Sequence, residues 1–248
     1  MFPPEGAAVD QARILPMLRQ AIDGEYGGLR FRVDSVSPMA APMVVEIGIY
    51  DPNGNRVGHA NRTYSYQDDR VTAVHSSFRL QPEFRGKGTA TEFNDAMFSW
   101  YAQSGGAEVR LTASSSVGCY AWASAGFEFA SQPGAVQNIR PNLHREIRRM
   151  AKDLEQLQQE QAQRPDAERG RKMHEIAGLI RDAKNIYNRF YEGSPDFPTP
   201  KEITELGKPA DLRPGQSRNL SWPGKRVFTE PKGAVSWQGV KMIEEEQR

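Results

Sequence analysis

Apolar and polar residues change their period several times along the chain. Val9, Ala12, Ile14, Leu15, Leu18 and Ile22 share one face of a helix over 9–22, with Pro16 weakening its middle. After Gly24, Gly27 and Gly28 the period shortens. Leu29–Ser37 and Met43–Tyr50 read as strands, Asp51-Pro52-Asn53-Gly54-Asn55 as a turn, and Arg56–Tyr66 as the returning strand of a hairpin. A polar turn, Gln67-Asp68-Asp69-Arg70, leads into a further strand, Val71–Leu80. A helix followed by an antiparallel meander is therefore expected.

The helical period returns after Gln81. Thr89–Gln103 is amphipathic, with Phe93, Met97, Trp100 and Tyr101 at helical spacing, and Gly105-Gly106 stops it. Glu108–Ala113 alternates as a short strand. Ser114–Ser116 offers caps for a short helix to Ser124, and Gly126–Phe129 reads as one more strand. From Ile139 the seam Ile139, Leu143, Ile147, Met150, Leu154, Leu157 steps by four and three. A second seam runs through Met173, Ile176, Ile180, Ala183, Tyr187 and Phe190. The breakers from Arg164-Pro165-Asp166 to Gly170 separate them, which predicts an antiparallel helical hairpin. Its seams pack on each other or serve a dimer or a protein partner. Proline and glycine are frequent over 193–233, where long irregular parts are expected, and Lys225–Thr229 and Ser236–Ile243 read as strands returning to the sheet.

Composition narrows the classes. The 248 residues include 38% hydrophobic and 25% charged, with a formal net charge of +1, so no global field draws the chain to nucleic acid or an anionic membrane. No apolar run approaches a membrane span. The single cysteine, Cys119, excludes an intrachain disulfide and a cysteine-rich zinc site, and fits a reducing compartment. The opening MFPPEGAAVD lacks a basic stretch ahead of an apolar run, so a cytoplasmic location is expected. His59, His75, His144 and His174 are scattered among unrelated elements, and no metal-ligand spacing emerges. The basic run from His144 to Arg149 reads as a solvated helix face with ion pairs.

The chemistry concentrates in Arg85-Gly86-Lys87-Gly88-Thr89-Ala90. A strand, a glycine turn and a helix starting at that turn present unpaired N–H groups and partial positive charge to an anion. Arg85 and Lys87 add charge, Thr89 a hydroxyl. The spacing fits neither a P-loop nor the dinucleotide fingerprint.

Residues 71–129 resemble the GNAT N-acetyltransferase superfamily, whose pyrophosphate motif Arg/Gln-x-x-Gly-x-Gly/Ala is met by Arg85, Gly88 and Ala90. Phe78–Glu83 looks like the strand leading into that motif, Val109–Ala113 like the next strand, and Tyr120–Phe127 (YAWASAGF) like the closing helix and Gly-Phe signature. The resemblance implies an α+β fold: a mixed, mostly antiparallel sheet flanked by helices, splayed between two parallel central strands. It implies an acyl-CoA-binding core over 1–135; the inserted helical hairpin 136–192 and the Pro/Gly-rich segment 193–248 returning to the sheet are read from periodicity and composition and lie outside the resemblance. It also implies acetyl-CoA as cosubstrate, its pantetheine held by the backbone of Phe78, Arg79 and Leu80. Arg85, Gly86, Lys87, Gly88, Thr89 and Ala90 would hold the pyrophosphate, and an unidentified amine would attack the thioester directly.

Members of that family often carry a tyrosine four residues before the glycine of Gly-Phe, where this chain has Trp122, whose indole is no useful acid. Tyr120 is the alternative proton donor, beside a structural reading of the same phenol. His75 is the base candidate, with Glu46 and Glu83 behind it. The competing expectation is a GNAT-like module without catalysis, used for binding or assembly, for which a phage- or toxin-associated setting is one version.

Overall fold

The computed structural model describes residues 11–37, 42–67, 70–114, 116–212, 220–229 and 236–245. The expectations placed on 1–10, on Asp68 and Asp69, on Ser115, on 213–219 and on 230–233 lie outside the described residues. The strands are β1 (Gly24–Tyr26), β2 (Leu29–Val36), β3 (Met43–Tyr50), β4 (Arg56–Gln67), β5 (Arg70–Leu80), β6 (Ala107–Ala113), β7 (Glu128–Phe129) and β8 (Trp237–Ile243). They form one mostly antiparallel sheet in the order β1-β2-β3-β4-β5-β6-β8-β7. The fold is α+β, with helices flanking the sheet. A glycine turn and helix follow β5, and a parallel strand follows that helix.

The chain divides into two compact units, one of residues 1–111 with 240–248 and one of 112–239. In the first unit, helix α1 (Gln11–Ile22) packs on β2 and on α2 (Thr89–Gln103). Phe31, Val33, Val45, Ile47 and Ile49 alternate onto the buried face of the meander. Phe31 stacks on Phe93 of α2 with centroids 4.5 Å apart, and Tyr26 meets Phe93 edge-on at 5.3 Å. Period-two burial against a helical stripe makes this core.

The second unit holds α3 (Ser116–Ser124), α4 (Gln132–Asn138), α5 (Arg140–Gln163), α6 (Ala167–Asn188), α7 (Pro200–Glu205) and α8 (Pro223–Thr229). Helices α5 and α6 are the expected hairpin. Asp166 caps α6 by accepting from the Arg169 N–H at 2.9 Å, a bond that holds its carboxyl below the usual range. Ile139, Leu143, Ile147 and Met150 are buried, whereas Leu154 and Leu157 nearer the tip are half-buried.

One strand assignment is corrected. Lys225–Thr229 lies in helix α8, opened by Pro223, whose fixed φ suits a first helical turn. Its adjacent apolar pair, Val227 and Phe228, is buried in full, and such a short run carries no period of its own. Trp222 anchors this helix by donating its indole N–H to the Thr204 carbonyl at 2.7 Å.

Candidate functional site

The glycine turn after β5 has the geometry its sequence demands. Gly86 and Gly88 have φ of 73° and 86°, a left-handed backbone that costs other residues about 1–2 kcal/mol. Gly88 is the N-cap of the 15-residue helix α2, and its carbonyl accepts from Thr91 and Glu92. No side chain caps the helix start. Arg85 turns back, its Nε donating to the Leu80 carbonyl at 2.6 Å, and Lys87 stands exposed with its Nζ 5.5 Å from the Phe84 ring centroid.

Thr89 is buried at the helix start. Its side chain is 2% exposed and packs beneath the turn between β1 and β2, where its hydroxyl has no hydrogen-bond partner among the described residues. A Cβ on Gly27 would stand 2.4 Å from Thr89 Oγ1 and 2.8 Å from Thr89 Cα, so only glycine fits above it. The Gly27 N–H donates to the Glu92 carboxylate at 2.6 Å. The Thr89 side chain is therefore part of the support, and the first hairpin rests directly on the glycine turn.

Strand β5 supplies an edge. Its parallel pairing with β6 runs from Thr72↔Glu108 to His75↔Leu111, and β5 then continues from Ser76 to Leu80 with β4 as its strand partner. Phe78 turns its ring toward Phe31 and Phe93, at 6.2 and 6.1 Å, so what it offers outside the core is backbone. The β4–β5 register shifts between Asn61 and Arg62, opposite Ser76.

Arg62 holds that step. It is 0% exposed, and one guanidinium nitrogen donates to the Asn61 and Ser77 carbonyls, each at 3.0 Å. The other donates to Asn94 Oδ1 at 3.3 Å, and the group lies 5.5 Å from the Phe93 centroid. Burial pulls the guanidinium below its usual range, which lies high enough that the charge stays. Among the described residues no carboxylate pairs with it. Tyr64 and Tyr101 sit next in this pocket of the core, hydroxyl to hydroxyl at 3.1 Å. Burial pushes the Tyr64 phenol up to about 12 and Tyr101 well above its ordinary value.

His75 belongs to the same buried group. Its Nε2 lies 3.2 Å from the Tyr101 hydroxyl and its ring stacks on Phe98. Burial, then the nearby Arg62 charge, hold the imidazole well below its usual value, so it is neutral near pH 7. It is 4% exposed and faces α2. Glu46 lies on the opposite, polar face of the sheet, and Glu83 stands exposed in the 3-10 turn Pro82–Phe84.

Tyr120 and Trp122 lie on α3, in the other unit. Tyr120 packs edge-on against Trp222 at 5.7 Å, with Lys225 Nζ at 5.7 Å from its ring. Trp122 meets Phe127 at 5.2 Å. Cys119 is fully buried, donates weakly to the Ala113 carbonyl, and is pushed up to about 11 by burial. Among the described residues no cluster of metal-ligating side chains occurs, and no helix is long and apolar enough to cross a membrane.

Sequence reasoning missed Gly27, Arg62 and Glu92. Gly27 was visible only as punctuation. The inward position of Arg62 follows from the Ala60, Arg62, Tyr64 alternation once the buried face of β4 is known.

No family model and no curated protein matches the sequence. Solved structures do match in part. Nourseothricin acetyltransferase aligns with 17% identity and a TM-score of 0.29, over 47% of this chain and 81% of its own. A GCN5-related glucosamine N-acetyltransferase region of a fungal multi-domain GH3 β-N-acetylglucosaminidase aligns with 15% identity and a TM-score of 0.26. That match covers 42% of this chain and 13% of the other. Likeness at this level fixes neither an acceptor nor a catalytic residue.

Proposed function

We propose that the chain is an acetyl-CoA-dependent N-acyltransferase. The observation that carries this reading is the joining of two features on β5. Its pairing with β6 ends at His75, and its far end runs into a turn whose glycines have positive φ at the start of α2. Backbone at Phe78 and Arg79 would hold the pantetheine arm, and the amides from Arg85 to Ala90 would hold the pyrophosphate. The Leu80 carbonyl already accepts from Arg85 and is less available.

The step is a direct transfer. The lone pair of a neutral amine attacks the thioester carbonyl carbon, the C–S bond breaks, and the sulfur leaves with the electron pair. The proton lost by nitrogen ends on that sulfur, giving an amide and free CoA. His75 is assigned here to the core and not to this proton, since its imidazole is buried against Tyr101 and Phe98. Tyr120 remains the donor to test. The single buried cysteine supports a reducing, cytosolic setting.

A second reading is favoured by Trp122 at the position of the family's tyrosine: a module that binds acyl-CoA without turning it over. Calorimetric titration with CoA, then a thiol-release assay with an amine panel, separates the two. Absence of saturable CoA binding at millimolar concentration sinks both.

A further inference from the structure

The face of the meander turned away from α1 and α2 is polar, and part of it is concave. A cleft of about 600 Å³ runs along β4 and β5 from Arg56 past His59 and Asn61 to Arg79 and Arg85. That volume suits a small molecule. Gly58 permits the close approach at its floor, since a Cβ there would lie 2.3 Å from the Arg79 carbonyl oxygen.

Several charges on this face are matched. The Tyr50 hydroxyl donates to Asp34 at 2.9 Å and accepts from Arg32 at 3.0 Å. Arg56 lies 3.4 Å from Asp34 and 3.5 Å from Glu46, and Ser35 donates to Glu46 at 3.2 Å. His59 and Arg79, in the cleft itself, differ. They stand directly opposite one another in the β4–β5 register, and among the described residues neither side chain has a hydrogen bond or an ion pair. Two side chains able to donate to one and the same anion thus face each other across the strands.

The cleft wall carries Arg56, Arg79 and Arg85 against one carboxylate, Glu46, which already serves Arg56 and Ser35. At the other end, Asn61 Oδ1 is a buried acceptor without a hydrogen-bond partner among the described residues. It is two residues from His59 on the same face, about 7 Å along the strand. One end of the cleft thus lacks an anion and the other lacks a donor.

The geometry points to this cleft as the seat of an acceptor amine that also carries an anionic group, a carboxylate or phosphate a few bonds from its nitrogen. The inference rests on the acyl-transfer reading for the word acceptor. The anionic end sits between Arg79, which offers a planar fork of donors, and His59. The amine end lies toward Asn61 and the register step of β5. A polycation is disfavoured, because each added positive charge meets arginines and one occupied carboxylate.

The test is calorimetric titration of the full chain, with and without CoA, using β-alanine, O-phosphoethanolamine and 1,3-diaminopropane. Saturable binding of one of the two anionic amines, at least tenfold tighter than the diamine, is expected. Which of the two binds distinguishes carboxylate from phosphate. His59→Glu, which sets a carboxylate in the anion's place, weakens that binding at least tenfold while CoA affinity stays within twofold of the parent. Arg79→Gln weakens the anionic amines likewise. Diamine binding equal to or tighter than theirs overturns the proposal. So does unchanged affinity in a His59→Glu protein with the parent's melting temperature, or no saturable binding of any amine. If CoA itself fails to bind, the acyl-transfer reading falls, while the amine titrations still decide whether the cleft seats an anion.

Discussion

Arg62 donates to the Ser77 carbonyl at 3.0 Å across the point where β4 and β5 change register, one residue past the end of β6 pairing at Leu111↔His75. A buried cation thus braces the place where the central strands begin to part. Arg62→Met keeps much of the volume but leaves three acceptors, Asn61 O, Ser77 O and Asn94 Oδ1, without their donor. Urea denaturation is expected to show a loss of about 2–4 kcal/mol. Arg62→Lys, which cannot span all three, restores only part of it. A neutral result for Arg62→Met would show that the bulge holds without its brace.

The His75 imidazole gives stability a pH dependence of defined sign. Its folded pKa lies below the unfolded value, so the unfolded chain takes up a proton first as pH falls. Stability is full above about pH 6.5 and falls by up to about 1.4 kcal/mol per pH unit below it, until the folded imidazole is itself protonated. His75→Phe removes this slope between pH 6.5 and 5 in denaturant titrations. A parent protein equally stable at both pH values would contradict the assignment.

Gly27→Ala pairs a left-handed backbone with a clash against Thr89, and a loss of about 2–3 kcal/mol is expected. Because Thr89 begins α2, the same substitution weakens CoA binding. Gly28→Ala is the control: its added Cβ meets nothing within 4 Å, so only the backbone cost is expected.

Glu92 acts in two opposed ways. Its carboxylate accepts from Gly27 and sits in the first turn of α2, where a negative charge is favourable. It also places that charge beside the turn that would receive a pyrophosphate. Glu92→Gln should cost about 0.5–1 kcal/mol of stability and tighten CoA severalfold at low salt. Tightening that persists unchanged at high salt would speak against an electrostatic origin.

Cys119, with its thiol at about 11 and its side chain buried, is expected to resist alkylation at pH 8 in the native protein and to react fully in denaturant.

Much of the fold was legible because burial on one face writes itself as period two or period three to four. The Met43–Tyr50 and Thr89–Gln103 elements carry that signature from end to end. Lys225–Thr229 did not, since one helical turn and a short strand bury the same adjacent pair. At the site, glycine reported the turn faithfully, because positive φ admits few other residues. The roles of Thr89 and His75 were hidden, because a residue's type does not say which face of its element it occupies. Arg62 was the least legible, an arginine whose partners are backbone carbonyls that no sequence motif marks.

The α5–α6 seam, closed at Ile139–Met150 and looser toward Leu157, resembles a zipper fastened at one end. Amide exchange should therefore sweep inward from the Arg164–Asp166 tip, with each turn nearer the base slower than the last. The outer turns can open and close while the rest of their own unit stays folded.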